Sequence, residues 1–283
     1  GGPGLTIYPD GVKGGEAAMV RRMRTGELQA GMLTVVGLSE IDHSVTALQN
    51  MPMVFRTLDE VDYVREKLRP RLEKNLQAQG FVPLFWGDLG WVRFFSKEPG
   101  LRPDDFKRMK MFVWAGDAYQ VDLMKSAGYH PVPLETNDIL PGLQTGLINA
   151  VPLTPYSALA SQCYTPAPHM LELNWAPLVG GTVLLKSTWD SIPSPVREAM
   201  QKAASDAGMQ IQERGRTESQ EAVEAMKKRG LKVQTVSPEL ESEWRKSVEE
   251  YYPKIRGPIV PADLFDEVQR LLNTYRNSSG KAQ

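Results

Sequence analysis

The chain has 283 residues, of which 41% are hydrophobic, 24% are charged and 8% are aromatic. This is the composition of a folded globular protein, and it excludes the disordered and fibrous classes. Lysine and arginine together number 33 and aspartate and glutamate 34, for a formal net charge of -1, so neither a nucleic-acid nor a membrane-surface partner is predicted.

The first part of the chain predicts a strand at Leu5–Tyr8, a helix over 16–28 and a strand over 30–38. The opening letters GGPGLTIYPDG contain neither the basic nor the apolar segment of a signal peptide, and we expect a processed or truncated chain. A capping box at 57–60 then begins a predicted helix that contains Pro70 and ends at Gly80.

The next part alternates strands and helices in a regular order. A strand at 109–115 precedes a helix at 117–127, and further strand and helix patterns follow up to residue 164. Such alternation predicts a parallel sheet with helices on both faces. A long extended stretch, MLELNWAPLVGGTVLLK, comes next.

A long helix is predicted from Ser194 to Gly230, about 35 residues or on the order of 50 Å at 1.5 Å per residue. Its middle, QERGRTESQEA, is almost wholly polar, whereas its ends carry apolar residues. We expect this helix to pack at its ends, to be solvated in its middle and to bridge two bodies.

Motifs of known chemistry are scarce in this sequence. The three histidines, His43, His130 and His169, lack the spacing of metal ligands, and no phosphate-binding loop or nucleophile elbow occurs. The sequence therefore predicts no metal, no cofactor and no catalysis. The alternative is a two-domain α/β enzyme acting on a hydrophobic acid, with Asp88 or Asp117 as the base.

Aromatic residues are the more informative feature. Trp86, Trp91, Phe112, Trp114 and Trp175 fall at the ends of predicted strands or in the extended crossings. Any one of them could be a core residue, but the carboxyl ends of strands in two α/β bodies border a cleft. Together they predict a ligand site with aromatic walls.

Five phrases occur in the same order as in a known family: IYPDGVKGGEAAMVRRMRTGELQAG, MPMVFRTLDEVDYV, PDDFKRMKMFVW, ILPGLQTGLINAVPLTP and LLKSTWDSIP. In these phrases the chain resembles the solute-receptor (P) subunit of tripartite ATP-independent periplasmic (TRAP) transporters, the DctP-like family. The resemblance implies an α/β, two-domain periplasmic binding protein of the Venus-flytrap type, with crossing strands and a long bridging helix. It also implies a periplasmic monomer that closes on a small organic ligand and delivers it to the membrane permease subunits.

The resemblance implies domain boundaries as well. We expect residues 1–92 and 183–215 to form one domain, residues 93–182 and 216–260 a second, and residues 261–283 a C-terminal helix and tail. The family usually begins with a further strand and helix ahead of IYPDG, and the first domain here is expected to lack them. A binding subunit of an ATP-driven importer has the same shape and is the alternative within transport.

Two departures from the family pattern bear on the ligand. Phe112 occupies the position of an arginine that commonly pairs with a ligand carboxylate in the family. Leu153 and Thr154 occur where an asparagine is usual. Since Phe112 and Trp114 would replace a charged clamp by an apolar wall, we expect an organic acid with an apolar or aromatic part.

A carboxylate on such a ligand would then need another partner. Arg93 on the crossing strand and the backbone amides of the helix after Gly116 are the two candidates. The predicted ligand-binding residues are Trp91, Arg93, Phe112, Trp114, Thr154 and Trp175.

Overall fold

The computed structural model describes residues 4–9 and 11–279. Seven strands are found within these residues: β1 (Ala30–Thr34), β2 (Phe81–Ser96), β3 (Lys110–Trp114), β4 (His130–Leu134), β5 (Ala150–Leu153), β6 (His169–Leu185) and β7 (Lys232–Gln234). The helices of the first part are α1 (Glu16–Arg24), α2 (Val35–Ser39), α3 (Leu58–Ala78), α4 (Pro103–Lys107), α5 (Ala118–Ser126) and α6 (Ile139–Thr145). Those of the second part are α7 (Pro155–Ala160), α8 (Lys186–Ser191), α9 (Ser194–Lys227), α10 (Pro238–Glu249), α11 (Tyr252–Ile255) and α12 (Ala262–Ser279).

All seven strands belong to one mixed sheet. Its order is β1-β6-β2-β5-β3-β4, with β7 also paired to β6. Strand β5 is parallel to β3 and β3 to β4, but β2 is antiparallel to both β5 and β6. The predicted parallel pairing is found among β3, β4 and β5, but it does not extend to β2 and β6, because these two long strands run in opposite directions across the molecule. The α/β class itself is confirmed.

Several predicted elements are confirmed by their caps. The hydroxyl of Thr57 accepts a hydrogen bond from the Glu60 amide at the start of α3, which runs through Pro70. The Asp117 carboxylate likewise accepts one from the Gln120 amide, 3.0 Å away, at the start of α5. These side chains satisfy amides that lack partners in the first turn of a helix.

The predictions near the start of the chain were partly wrong. No strand forms at Leu5–Tyr8, where Leu5 is 83% exposed and Ile7 is 73% exposed. A strand needs a neighbour for its backbone groups, and none lies beside this segment among the described residues. The second predicted strand is shorter than expected, because Thr34 caps α2 by accepting a hydrogen bond from the Val36 amide.

Three hydrophobic clusters surround the sheet. Cluster 1 packs α1, α3 and α12 against one end and contains residues such as Leu72, Phe81 and Leu264. Clusters 2 and 3 lie on opposite faces of the other end. Phe112 and Val151 belong to cluster 2, and the adjacent Met111 and Ala150 belong to cluster 3. This assignment follows the alternation of side chains along a strand.

The long helix α9 has 34 residues, close to the predicted length. Its middle was predicted to be solvated, but this is the part that packs closely on β2. A Cβ atom on Gly208 would lie 2.7 Å from Cβ of Phe85, and one on Gly215 would lie 3.4 Å from the carbonyl oxygen of Asp88. The polar residues of this stretch meet buried charges on β2, which the hydrophobic pattern does not reveal.

Candidate ligand-binding site

The strands β3, β4 and β5 end together at Trp114, Leu134 and Leu153, which we call the carboxyl edge. Arg93 of β2 lies directly opposite Leu153. Met111 pairs with Ala150, so three residues further along Trp114 lies beside Leu153 on the same face. At a spacing of 4.7–4.9 Å between strands, the backbones of Arg93 and Trp114 are about 10 Å apart.

Arg93 is a half-buried cation with weak partners. Its Nη1 lies 3.5 Å from Oε1 of Glu172 and its Nη2 lies 3.4 Å from Oδ1 of Asn174. Its Nε is buried and has no hydrogen-bond partner among the described residues. Burial lowers the pKa of Arg93, but a guanidinium stays charged in proteins. A ligand carboxylate could satisfy this group in a two-pronged manner.

Phe112 and Trp114 lie on the same face as Arg93. Their ring centroids are 4.8 Å apart, with the rings in an edge-to-face arrangement. Phe112 is only 1% exposed and belongs to cluster 2, whereas Trp114 is half-buried at the border of that cluster. Trp114 is therefore the more accessible of the two to a ligand at the carboxyl edge.

Thr154 follows the carboxyl edge directly, but its hydroxyl is occupied. It accepts a hydrogen bond from the Ser157 amide as the cap of α7 and donates one to the Ser157 hydroxyl, 2.8 Å away. The residue is fully buried. Capping accounts for its side chain without a ligand.

Trp91 and Trp175 lie on the crossing strands, just beyond the carboxyl edge. The pairing of β2 with β6 is irregular here, with register shifts between Asp88 and Trp91 and between Val92 and Phe94. The Trp175 ring is 5.0 Å from that of Phe94 and packs in cluster 3, whereas Trp91 packs against cluster 1. Bulged pairing of this kind redirects side chains in sheets.

A partly open cavity of about 130 Å³ lies between α5, the sheet and α10. Clusters 1, 2 and 3 all contribute residues to its wall, which is mostly apolar. Phe112, Trp114 and Trp175 are among the lining residues, so the structure brings three predicted site residues to one cavity. Trp91, Arg93 and Thr154 do not line it.

Residues from the first part of the chain face the carboxyl edge. The ring of His43 lies 6.1 Å from that of Tyr119 on α5. A Cβ atom on Gly15 would lie 2.7 Å from Oε2 of Glu135, which follows β4. The sequence reasoning missed these four residues, because nothing in their local pattern indicates that the two segments meet.

Asp117 also faces this junction. Burial raises its pKa above the ordinary value, and Glu40 raises it further, whereas the Gln120 amide and His43 lower it. Nowhere in 4–9 and 11–279 does a group of three or more His, Cys, Asp or Glu side chains have the arrangement of a metal site.

Residues 3–257 match the family described as bacterial extracellular solute-binding protein, family 7 (DctP). The chain belongs to this family. Within the described residues, no helix of the solute-binding protein is long and apolar enough to cross a membrane.

Known relatives agree with this assignment. The C4-dicarboxylate-binding periplasmic protein DctP of Rhodobacter capsulatus is 24% identical over 202 residues, which are 71% of this chain and 60% of that protein. A TRAP periplasmic solute-binding protein from Shewanella oneidensis, solved with bound succinate, has a TM-score of 0.87 at 18% identity, over 94% of this chain and 87% of the other. One from Xanthobacter autotrophicus, with bound β-D-galacturonate, has a TM-score of 0.85 at 19% identity, over 95% and 88%. These structures share the fold of the DctP-family chain.

Proposed function

We propose that this protein is the extracytoplasmic solute-binding subunit of a TRAP transporter, and that its ligand is an organic acid with an apolar or aromatic part. Membership in the solute-binding family supports the receptor role. Similar structures contain galacturonate and succinate, both of which are small organic acids. In the same proposal the protein acts as a monomer in the periplasm and delivers its ligand to the membrane permease subunits.

One observation supports an organic acid with an apolar or aromatic part as the ligand. Arg93 is a half-buried cation, and its Nε has no hydrogen-bond partner among residues 4–9 and 11–279. It lies in one row with Trp114 at the carboxyl edge. A carboxylate at Arg93 would place the rest of the ligand against Leu153 and Trp114. Since Phe112 has replaced the charged clamp expected from the family, that part of the ligand meets an apolar surface.

Binding would occur by closure of two domains, with residues 1–92 and 183–215 in one and residues 93–182 and 216–260 in the other. Two contacts between the proposed domains support this closure. One joins Tyr119 to His43, and the other joins Glu135 to Gly15. Helix α12 packs in cluster 1 and would move with the first domain. Ligand contacts with both domains would favour the closed form.

No catalytic role is part of the proposal. Asp88, one candidate base, is bound by Arg216 at 2.6 Å, and Asp117, the other, caps α5. Both carboxylates thus have structural partners.

The test is native mass spectrometry of gently purified protein, followed by extraction and identification of any retained compound. We expect a near-stoichiometric organic acid with an aromatic or branched part. A retained small dicarboxylate would contradict the apolar ligand class, and turnover of the bound compound would contradict the receptor role.

A further inference from the structure

The cavity between α5, the sheet and α10 touches Trp114 but neither Arg93 nor Leu153, the other two members of the row at the carboxyl edge. Its floor is formed by Met111, whose side chain packs in cluster 3 on the face opposite that row. Leu123 and Met124 of α5 cover it. A ligand anchored at the carboxyl edge would reach this space only by passing the end of β3.

The size of the cavity fits one aromatic ring. Its volume is about 130 Å³, and apolar cavities of about 150 Å³ stay dry and bind benzene. Empty space of this kind costs stability, because the lining atoms lose their dispersion contacts. A ring inserted here would restore those contacts.

The wall also offers a polar group without a partner. The Tyr129 side chain lines the cavity, and its hydroxyl forms no hydrogen bond with any described residue. Burial raises the pKa of Tyr129, and the neighbouring Tyr251 raises it further, so the hydroxyl remains protonated and able to donate. The Tyr129 hydroxyl is not fully buried, and it is available to donate a hydrogen bond to a ligand in the cavity.

The helix that covers the cavity packs shallowly on the rest of the protein. None of the nine residues of α5 is fully buried. Gly116 and Gly128, which flank the helix, have φ angles of +93° and +84°, values that glycine adopts without strain. Tilting α5 about these two positions would open the cavity without disturbing β3.

We propose that this cavity is a subsite for a hydroxylated aromatic ring, with the Tyr129 hydroxyl hydrogen-bonded to the substituent of the ring. The inference rests on the proposed receptor function and narrows its ligand to a phenol-like acid. The ring would enter beneath α5 while the carboxylate meets Arg93.

Phenol itself is the probe, because it lacks the carboxylate and tests the cavity alone. We expect saturable binding of phenol to the full chain by isothermal titration calorimetry, after native ligand is removed. Ala127→Leu adds three carbons at a lining position and should abolish this binding. Asp122→Leu, an exposed position on the same helix, is the matched control and should bind phenol like the unchanged protein.

Tyr129→Phe keeps the ring and removes only the hydroxyl. Loss of one hydrogen bond should weaken phenol binding roughly fivefold, while binding of benzene stays unchanged. Absence of saturable phenol binding, or equal binding by Ala127→Leu, would overturn the inference. An organic acid retained by the same protein preparation would leave the receptor function standing, so the two failures can be told apart.

Discussion

Binding of the acidic part of the proposed ligand depends on the guanidinium of Arg93. Its two contacts, with Glu172 and Asn174, are at the long end of the hydrogen-bond range. Such a cation gains more from a ligand carboxylate than one already held by a short ion pair. Under the proposed function, Arg93 on β2 takes the role of the family arginine that Phe112 replaces on β3, two strands away.

Arg93→Gln should weaken binding of the extracted acid by about tenfold or more, because charge-assisted hydrogen bonds contribute roughly 1.5–3 kcal/mol. Calorimetric titration with the acid measures the change. Arg102→Gln is the matched control, since Arg102 is exposed and pairs with Glu243 on the surface. Equal affinity in Arg93→Gln and the control would place the carboxylate elsewhere.

Asp117 allows a prediction of pH dependence. Burial raises the pKa of Asp117 above its ordinary value, so the folded protein retains this proton to higher pH than the unfolded chain does. The free energy of unfolding contributed by this group is therefore greatest at low pH and falls as pH rises through the raised pKa.

Asp117→Asn should remove that decline while preserving the cap of α5, because asparagine caps helices as well as aspartate does. Thermal unfolding of both proteins from pH 3.5 to 7 by circular dichroism gives the comparison. The stability of the variant relative to the unchanged protein should increase with pH. A constant difference across this range would show that the carboxylate titrates normally.

At the scale of elements, α9 is fixed to the crossing strand by a buried charge network. Arg216 donates hydrogen bonds to Asp88 of β2 and to Asp62 of α3, at 2.6 and 2.7 Å. Arg65 lies 3.6 Å from Asp88, whose side chain is fully buried. These contacts join the long helix to the strand that passes between both halves of the sheet.

Arg216→Met should destabilise the protein by about 3 kcal/mol, because it leaves the buried Asp88 carboxylate with the Gly90 amide and the more distant Arg65. Urea unfolding measures the loss. In the double variant Asp88→Asn with Arg216→Met, much of the stability should return, since no unpaired carboxylate remains. Additive losses in the double variant would mean that the two side chains act independently.

At the scale of the whole molecule, a few contacts join the two proposed domains. Helix α5 and the segment after β4 reach residues of the first part of the chain. Leu123 of α5 also packs against cluster 1. A bound ligand that contacts both sides would shift the population.

Addition of the extracted acid to ligand-free protein should therefore decrease the radius of gyration measured by small-angle X-ray scattering. Arg93→Gln at the same acid concentration should show a smaller change, because less ligand is bound. An unchanged radius despite calorimetric binding would contradict domain closure as the mode of capture.

The sequence by itself determined the helices and strands with strong local signals. The cap of α3, the strand at β3, the helix α5 and the length of α9 all follow from short-range patterns and were predicted. The family was also predicted, because five phrases in the right order constrain the whole fold. Local hydrogen bonds and hydrophobic period act within a few residues, so they can be read along the chain.

Only the tertiary structure decided which residues meet. The row of Arg93 and Trp114 arises from pairing β2 with β5 and β5 with β3. The cavity beneath α5 needs α10, more than a hundred residues later, and the polar middle of α9 is explained only by the buried Asp88. Pairing register, cavities and buried ion pairs depend on contacts between distant segments, and no local pattern of the chain encodes them.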